Sequence, residues 1–235
     1  MAGKTMKHNK TSGAVLDALP PIARDMGSTD WRKRHSALQQ LTDLIVDHPE
    51  VMEAQLFKLM DHFLTGVSDG NSKVNIRALE SLCRVIPVIG DLTARVLHQL
   101  MPPLCKSLGS GNTNTKKCSQ QVVKAIVNNV TVKDTALALS KALAKNCKSV
   151  PAKAIILEEI SGLVIDCQRE NPRLVTNKLL PQAVGLLAGT ARDVRVQAEA
   201  LVTVICKAGL EQATLKIQQF SPRSKSRAMV LVNAL

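Results

Sequence analysis

Apolar residues recur at three- and four-residue spacing along most of this chain, the period of a helix with one buried face. Ala37, Leu38, Leu41, Leu44 and Ile45 make one such stripe, and Val51, Met52, Leu56, Leu59, Met60, Phe63 and Leu64 the next. The pattern predicts helices over 12–26, 30–47, 50–67, 72–89, 92–108, 116–128, 132–145, 151–170, 173–188, 193–207, 210–220 and 223–235. Proline punctuates them. Pro20-Pro21 is expected to kink or split the first helix, and Pro87 to end the regular part of the fourth early. Pro102-Pro103 and Pro181 fall inside the fifth and ninth. The one strand-like run, Met229-Val-Leu-Val232, lacks close turn signals on both sides and is assigned to a buried helix.

Two helices and a turn recur as a unit. The turns within pairs fall near residues 29, 70, 112, 149, 191 and 221. Their spacing is about 40 residues over the first five, in the range of HEAT and armadillo repeats. The second helix of a pair opens on a polar or basic cluster. Asp30-Trp-Arg-Lys-Arg34, Asn71-Ser-Lys-Val-Asn75 and Asp193-Val-Arg-Val-Gln197 are each followed by an Ala-Leu pair seven residues after the opening Asp or Asn: Ala37-Leu38, Ala78-Leu79 and Ala200-Leu201. Asp30 is a fitting N-cap, which places Trp31 at the first helical position. A single pair cannot bury its own apolar face, so neighbours must stack. The expected fold is all-α, an α-solenoid of six stacked HEAT-like helix pairs in one domain over 12–235, with 1–11 a flexible N-terminal segment.

Composition narrows this further. Apolar residues make up 45% of the chain but aromatics only 2%, so the core must be aliphatic, which suits packed helices. No apolar run reaches the ~18 residues that span a bilayer, and no membrane partner is expected. Cys83, Cys105, Cys118, Cys147, Cys167 and Cys206 are scattered without a Cys-x-x-Cys. They are expected to be reduced thiols in the cytoplasm. His8, His35, His48, His62 and His98 show no metal spacing. Gly109-Ser-Gly-Asn112 lacks the Lys-Ser/Thr of a phosphate-cradling loop. No enzyme, no metal and no cofactor is expected.

The net charge of +12 invites an acidic partner. In a stack of pairs the within-pair turns share one edge. That edge would carry Trp31, Arg32, Lys33, Arg34, Asn71, Lys73, Asn114, Lys116, Lys117, Lys148, Lys153, Arg192 and Arg195. Trp31, the single tryptophan, is open to two readings: a staple packed on the preceding helix, or an aromatic anchor at an interface. The shortage of aromatics argues against stacking on nucleic-acid bases.

The sequence resembles the TOG-domain family of HEAT-repeat, tubulin-binding domains. Asp30-Trp-Arg-Lys-Arg34 with Ala37-Leu38, Asp69-Gly-Asn-Ser-Lys-Val-Asn75 with Ala78-Leu79, and Arg192-Asp-Val-Arg-Val196 with Ala198 carry the resemblance. The second segment is most like the crescerin-type domains, the TOG array regulators of axonemal microtubules. The resemblance implies a non-catalytic domain that grips αβ-tubulin, free or in the microtubule lattice, by one edge of turns. Tubulin's acidic surface would suit the charge. It further implies that Trp31 and Arg32 in the first turn and Asn71, Ser72 and Lys73 in the second meet β-tubulin. Lys116 and Lys117 in the third, Lys148 and Lys153 in the fourth, and Arg192 and Arg195 in the fifth would meet α-tubulin. The implied setting is the cytoskeleton, including cilium, axoneme or centrosome, as a monomeric domain of a larger protein. The alternative to tubulin binding is a basic helical scaffold for RNA or another protein.

Overall fold

A computed structural model describes residues 17–189 and 191–234, and every regular element among them is a helix. The expected segment 1–11 and the start of the first helix lie outside the described residues. In chain order the helices are α1 (described over 17–26), α2 (Trp31–Asp47), α3 (Glu50–Val67), α4 (Ser72–Ile89), α5 (Leu97–Leu108), α6 (Thr113–Asn129), α7 (Val132–Lys145), α8 (Val150–Glu170), α9 (Pro172–Leu174), α10 (Leu180–Leu187), α11 (Arg192–Ala208), α12 (Leu210–Ile217) and α13 (Pro222–Asn233). A 3-10 segment, Gly90–Val96, precedes α5, and a π segment, Val175–Leu179, joins α9 to α10. No described helix is long and apolar enough to cross a membrane.

The chain packs as two compact units. The first holds the described residues up to Pro103 together with Asn112–Asn129; the second holds Leu104–Gly111 and the residues from Val130 onward. In the first unit α4 lies between α2 and α6 and also packs on α3. Its core is aliphatic apart from the fully buried Phe63: Leu38, Leu41, Leu79, Leu82, Val122 and Ile126 are all inaccessible. In the second unit α8 packs on α7 and α11, and α11 on α10 and α13. Leu139, Ile156, Ile160, Leu180, Val184 and Val202 are inaccessible there.

Several boundaries differ from the sequence pattern, each for a local reason. Pro20 and Pro21 lie within an unbroken helix over 17–26. Pro87 does not end α4 early, because the helix runs on to Ile89 and stops where Gly90 takes φ +51°, the left-handed region that glycine reaches without strain. Gly90 opens the 3-10 segment, so the α-helix expected from residue 92 begins at Leu97. The sixth helix begins at Thr113 and not at Lys116. Asn112 accepts from the Asn114 and Thr115 amides at 2.9 and 3.2 Å, a side-chain cap that the polar loop conceals. The expected ninth helix is divided. Pro181 has no N–H to give, and just before it the Leu180 amide reaches back five residues to the Val175 carbonyl, a π turn. The helix expected over 210–220 ends at Ile217. Met229–Val232 is helical but not buried, with Val230 66% exposed.

The fifth turn corrects the repeat register. Asp193 is not the N-cap of α11; Ala191 stands there without a side-chain bond. The small residue seven positions after the cap is therefore Ala198, which is inaccessible, while Ala200 is exposed. Ala37 and Ala78 occupy that position in α2 and α4, and Ser119 in α6, all buried. A small buried side chain stands at this place in α2, α4, α6 and α11, whereas α8 has the buried Ile156 there.

Candidate functional site

In the first unit the N-termini of α2, α4 and α6 are tied to one another by side chains. Each begins on a polar cap. Asp30 accepts from the Arg32 amide at 2.9 Å, Asn71 from the Lys73 amide at 2.9 Å, and Asn112 caps α6. From α2, Arg34 reaches Asp69, ahead of α4, through a two-pronged pair at 2.7 and 3.0 Å. The same guanidinium donates to the Ser28 and Thr29 carbonyls at 2.8 and 3.1 Å. From α4, the buried Asn75 donates to the Val67 carbonyl and accepts from the Thr115 hydroxyl of α6 at 3.0 Å. Three capped helix N-termini thus lie side by side. Each carries the positive end of its backbone dipole, which favours an acidic partner.

Trp31 sits in this row, half-buried at the first position of α2. The Lys73 ammonium lies 4.8 Å from the centre of its ring and the Arg32 guanidinium 5.1 Å. His35, one turn along α2, meets the ring edge-on at 6.3 Å between centroids. Each cation–ring contact contributes roughly 0.5–1 kcal/mol at an exposed site. Lys73 belongs to α4, so its contact links the first and second turns, as Arg34–Asp69 does. The indole is therefore oriented by charged neighbours from both α2 and α4.

Electrostatics reinforce the frame. Burial pushes the Asp69 carboxyl upward, but the Arg34 bonds and the Asn71 amide, which donates at 2.8 Å, outweigh it and hold the group below the usual carboxylate range. The Asp69 hydrogen bond chiefly raises Arg34. His35 is lowered, first by burial and then by the nearby Arg77 charge. It accepts from Arg77 Nε at 3.2 Å, and Arg77 also donates to Gln39 at 3.0 Å.

The other expected site residues are spread over both units. Asn71 is half-buried and occupied as a cap, while Ser72 and Lys73 are exposed. Lys116 and Lys117 lie in the second turn of α6, half-buried and exposed respectively, and not at its mouth. Arg34, expected on the basic edge, is committed to Asp69. In the second unit Lys148 is exposed in the turn before α8, and Lys153 is half-buried inside it. Arg192 is exposed at the first position of α11. Arg195 is half-buried, one turn into the same helix. The structure thus brings Trp31, Arg32 and Lys73 together. Asp69 and Asn75, which hold that group, are not among the site residues the sequence predicts, although Asp69-Gly-Asn71 is a turn signature in which such a carboxylate is at home. Among the described residues no cluster of His, Cys, Asp and Glu could hold a metal ion.

Residues 19–222 match the family model described as XMAP215/Dis1/CLASP, TOG domain. The chain belongs to this TOG-domain family. Among curated proteins it is similar to TOG array regulator of axonemal microtubules protein 1 of Homo sapiens, 27% identical over 182 residues, and to the Mus musculus protein of that name, 28% over 160. These alignments take in 75% and 66% of this chain, but the chain spans only about a tenth of either relative, 10% and 9%. Its fold is that of solved TOG domains. A TOG domain of C. elegans Zyg9 superposes with a TM-score of 0.69 at 14% identity, covering 91% of this chain and 80% of that one. A structure of crescerin, which uses a TOG domain array to regulate microtubules in the primary cilium, gives 0.66 at 15% identity, covering 86% and 83%. Mini spindles TOG3 of Drosophila melanogaster gives 0.65 at 14%, covering 91% and 92%.

Proposed function

We propose that this TOG domain binds αβ-tubulin, free or in the microtubule lattice, and regulates microtubule dynamics in a ciliary setting without catalysing a reaction. The observation that carries the reading is Trp31 held between Arg32 and Lys73 beside three helix N-termini. A pre-oriented aromatic ringed by cations suits a strongly acidic protein face. The names of the relatives support the setting, and family membership supports the partner. In the first unit the contact set is Trp31, Arg32, Asn71, Ser72 and Lys73, with Lys116 and Lys117. In the second it is Lys148, Lys153, Arg192 and Arg195.

The test is titration of purified tubulin with the parent chain and with Trp31→Ala, read by size-exclusion co-elution or labelled-tubulin anisotropy. Truncation of an anchor costs ~2 kcal/mol, so binding should weaken about 30-fold. Melting should fall by only about 2–8 °C, because what is lost is two surface cation–ring contacts of roughly 0.5–1 kcal/mol each and the edge-on His35 contact. Parent-like binding by the variant would remove Trp31 from the site. No binding of tubulin or microtubules by the parent chain, with retention of RNA in a parallel shift assay, would overturn the function itself.

A further inference from the structure

The scatter of cysteines along the sequence conceals a pair. Cys105, in the last turn of α5, and Cys147, in the turn between α7 and α8, lie 42 positions apart with their Sγ atoms 2.9 Å from each other. Both belong to the second unit and both are buried, 3% and 4% exposed. Their approach is built into the packing. The Asn146 and Cys147 amides both donate to the Ala142 carbonyl, at 2.8 and 2.9 Å, which fixes the turn that carries Cys147. Gly109, just past α5, abuts that turn so closely that a Cβ there would stand 2.4 Å from Ser149 Oγ. Ser149 in turn caps α8 through the Ala152 amide.

We infer that Cys105 and Cys147 are a reversible disulfide site that responds to hydrogen peroxide. The inference stands apart from the proposed tubulin contact. Bonding needs the sulfurs to close by about 0.9 Å, from 2.9 Å to the ~2.05 Å of a disulfide. The roles of the two are unequal. Either sulfur can donate in this contact. With Cys105 as the donor the bond favours Cys147 as the thiolate, and the Lys153 charge adds to this against the opposing effect of burial. The same bond, with burial, pushes Cys105 upward. Cys147 is therefore the nucleophile and Cys105 the resolving thiol.

In the first step the Cys147 thiolate attacks one peroxide oxygen. The O–O bond breaks, and hydroxide leaves and takes up the proton that Cys147 had released, so a sulfenic acid and water result. In the second, the Cys105 sulfur attacks the Cys147 sulfur. The S–O bond breaks, and the departing hydroxide takes the Cys105 proton. Two thiols and one peroxide become one disulfide and two waters, and a dithiol reductant restores the thiols. The link would fasten the end of α5 to the turn that starts α8 and carries Lys148.

The experiment treats the reduced 235-residue chain with equimolar hydrogen peroxide and counts thiols after denaturation. The six free thiols should fall to four. A non-reducing peptide map should join Cys105 to Cys147, and dithiothreitol should restore all six. The unfolding midpoint of the oxidised form should rise by about 5–10 °C, because the link closes a long loop in the unfolded chain. Cys147→Ser should leave Cys105 reduced. The double variant Cys83→Ser/Cys118→Ser, which spares the pair, should still lose two thiols. Cys83 and Cys118 are the more exposed cysteines. Oxidation confined to them in the parent chain, or recovery of Cys105 and Cys147 unlinked, would overturn the assignment.

Discussion

Replacing Asp69 with Asn tests whether one carboxylate holds the first two turns together. The substitution keeps the shape and leaves an amide oxygen for the Asn71 N–H, but it removes the charge that faces Arg34. The amide oxygen, in the place of Oδ1, would still accept from Arg34 Nη2, but the Oδ2 acceptor of the Nε–H is replaced by an NH2 donor. Two limits bracket the cost. Exposed ion pairs contribute roughly 0.2–1 kcal/mol, and breaking a fully buried pair costs about 3–5 kcal/mol. Arg34 and Asp69 side chains are 20% and 10% exposed, and they border a half-open cavity of about 180 Å³ that also touches Met26, His62 and Gly66. The pair is thus partly hydrated, and with two charge-assisted bonds the loss should be about 2 kcal/mol. For a chain of this length that is a fall in midpoint of roughly 4–8 °C. The pH dependence gives a second handle. Asp69 is depressed in the folded state, so its contribution is complete above the unfolded carboxylate pKa and is lost as pH falls through the folded value. Parent and Asp69→Asn melting curves should converge in acid. Arg34→Gln combined with Asp69→Asn should cost less than the sum of the two. A variant that melts within about a degree of the parent at neutral pH, or strict additivity in the cycle, would refute the clamp.

Two other outcomes rest on the packing. Gly66→Ala places a Cβ 2.8 Å from Ala78 Cβ and 3.2 Å from a Leu38 methyl. Neither a Cβ nor the backbone behind it can rotate aside, so overpacking of about 1–3 kcal/mol should outweigh the helix-propensity gain of about 1, and thermal melting should fall. His35 is depressed in the folded state, so an NMR titration should find its midpoint below the ~6.5 of a free histidine. Its contribution to stability is intact above that unfolded value and is lost as pH falls through the folded one. His35→Gln should remove part of the destabilisation between about pH 7.5 and 5, and an unaltered pH profile would exclude the role.

The helices were legible because aliphatic periodicity is strong and tertiary packing uses it directly. Asp30, Asn71 and Ser149 cap α2, α4 and α8 as their side chains allow. What the pattern hides is the competition between adjacent caps. In Gly109–Thr115 nearly every residue can bond a backbone amide, and only the packing of Thr115 against Asn75 selects Asn112. At the fifth turn Asp193 is the better capping residue by type. Burial of Val194 and Ala198 nevertheless sets the phase, so the helix begins at Arg192 and leaves the aspartate exposed in its first turn. The Cys105–Cys147 approach has no local signal at all, since it depends on how α5 and α7 end.

The same phase sorts the basic residues of the turns. At the fourth helical position stand Arg34, Asn75, Lys116, Lys153 and Arg195, and all are half-buried or buried. A side chain there leans toward the helix N-terminus, over the preceding turn. Arg34 accordingly bonds Ser28 and Thr29, Asn75 bonds Val67, and Arg195 reaches the Gly189 carbonyl at 3.5 Å. Arg34, Asn75 and Arg195 thus close their own turns. Residues at the first two positions have no turn to cover, and Arg32, Ser72, Lys73, Thr113, Asn114 and Arg192 are exposed there. Within the proposed contact set, affinity should therefore come chiefly from Trp31 and from Arg32, Ser72, Lys73 and Arg192, with Lys116, Lys153 and Arg195 contributing less as contacts. Charge reversal at Lys73 or Arg192 should then slow association and weaken its salt dependence. Reversal at Arg195 should act first on melting, and an equal effect of all three on association rate, with melting unchanged, would erase the distinction between the positions.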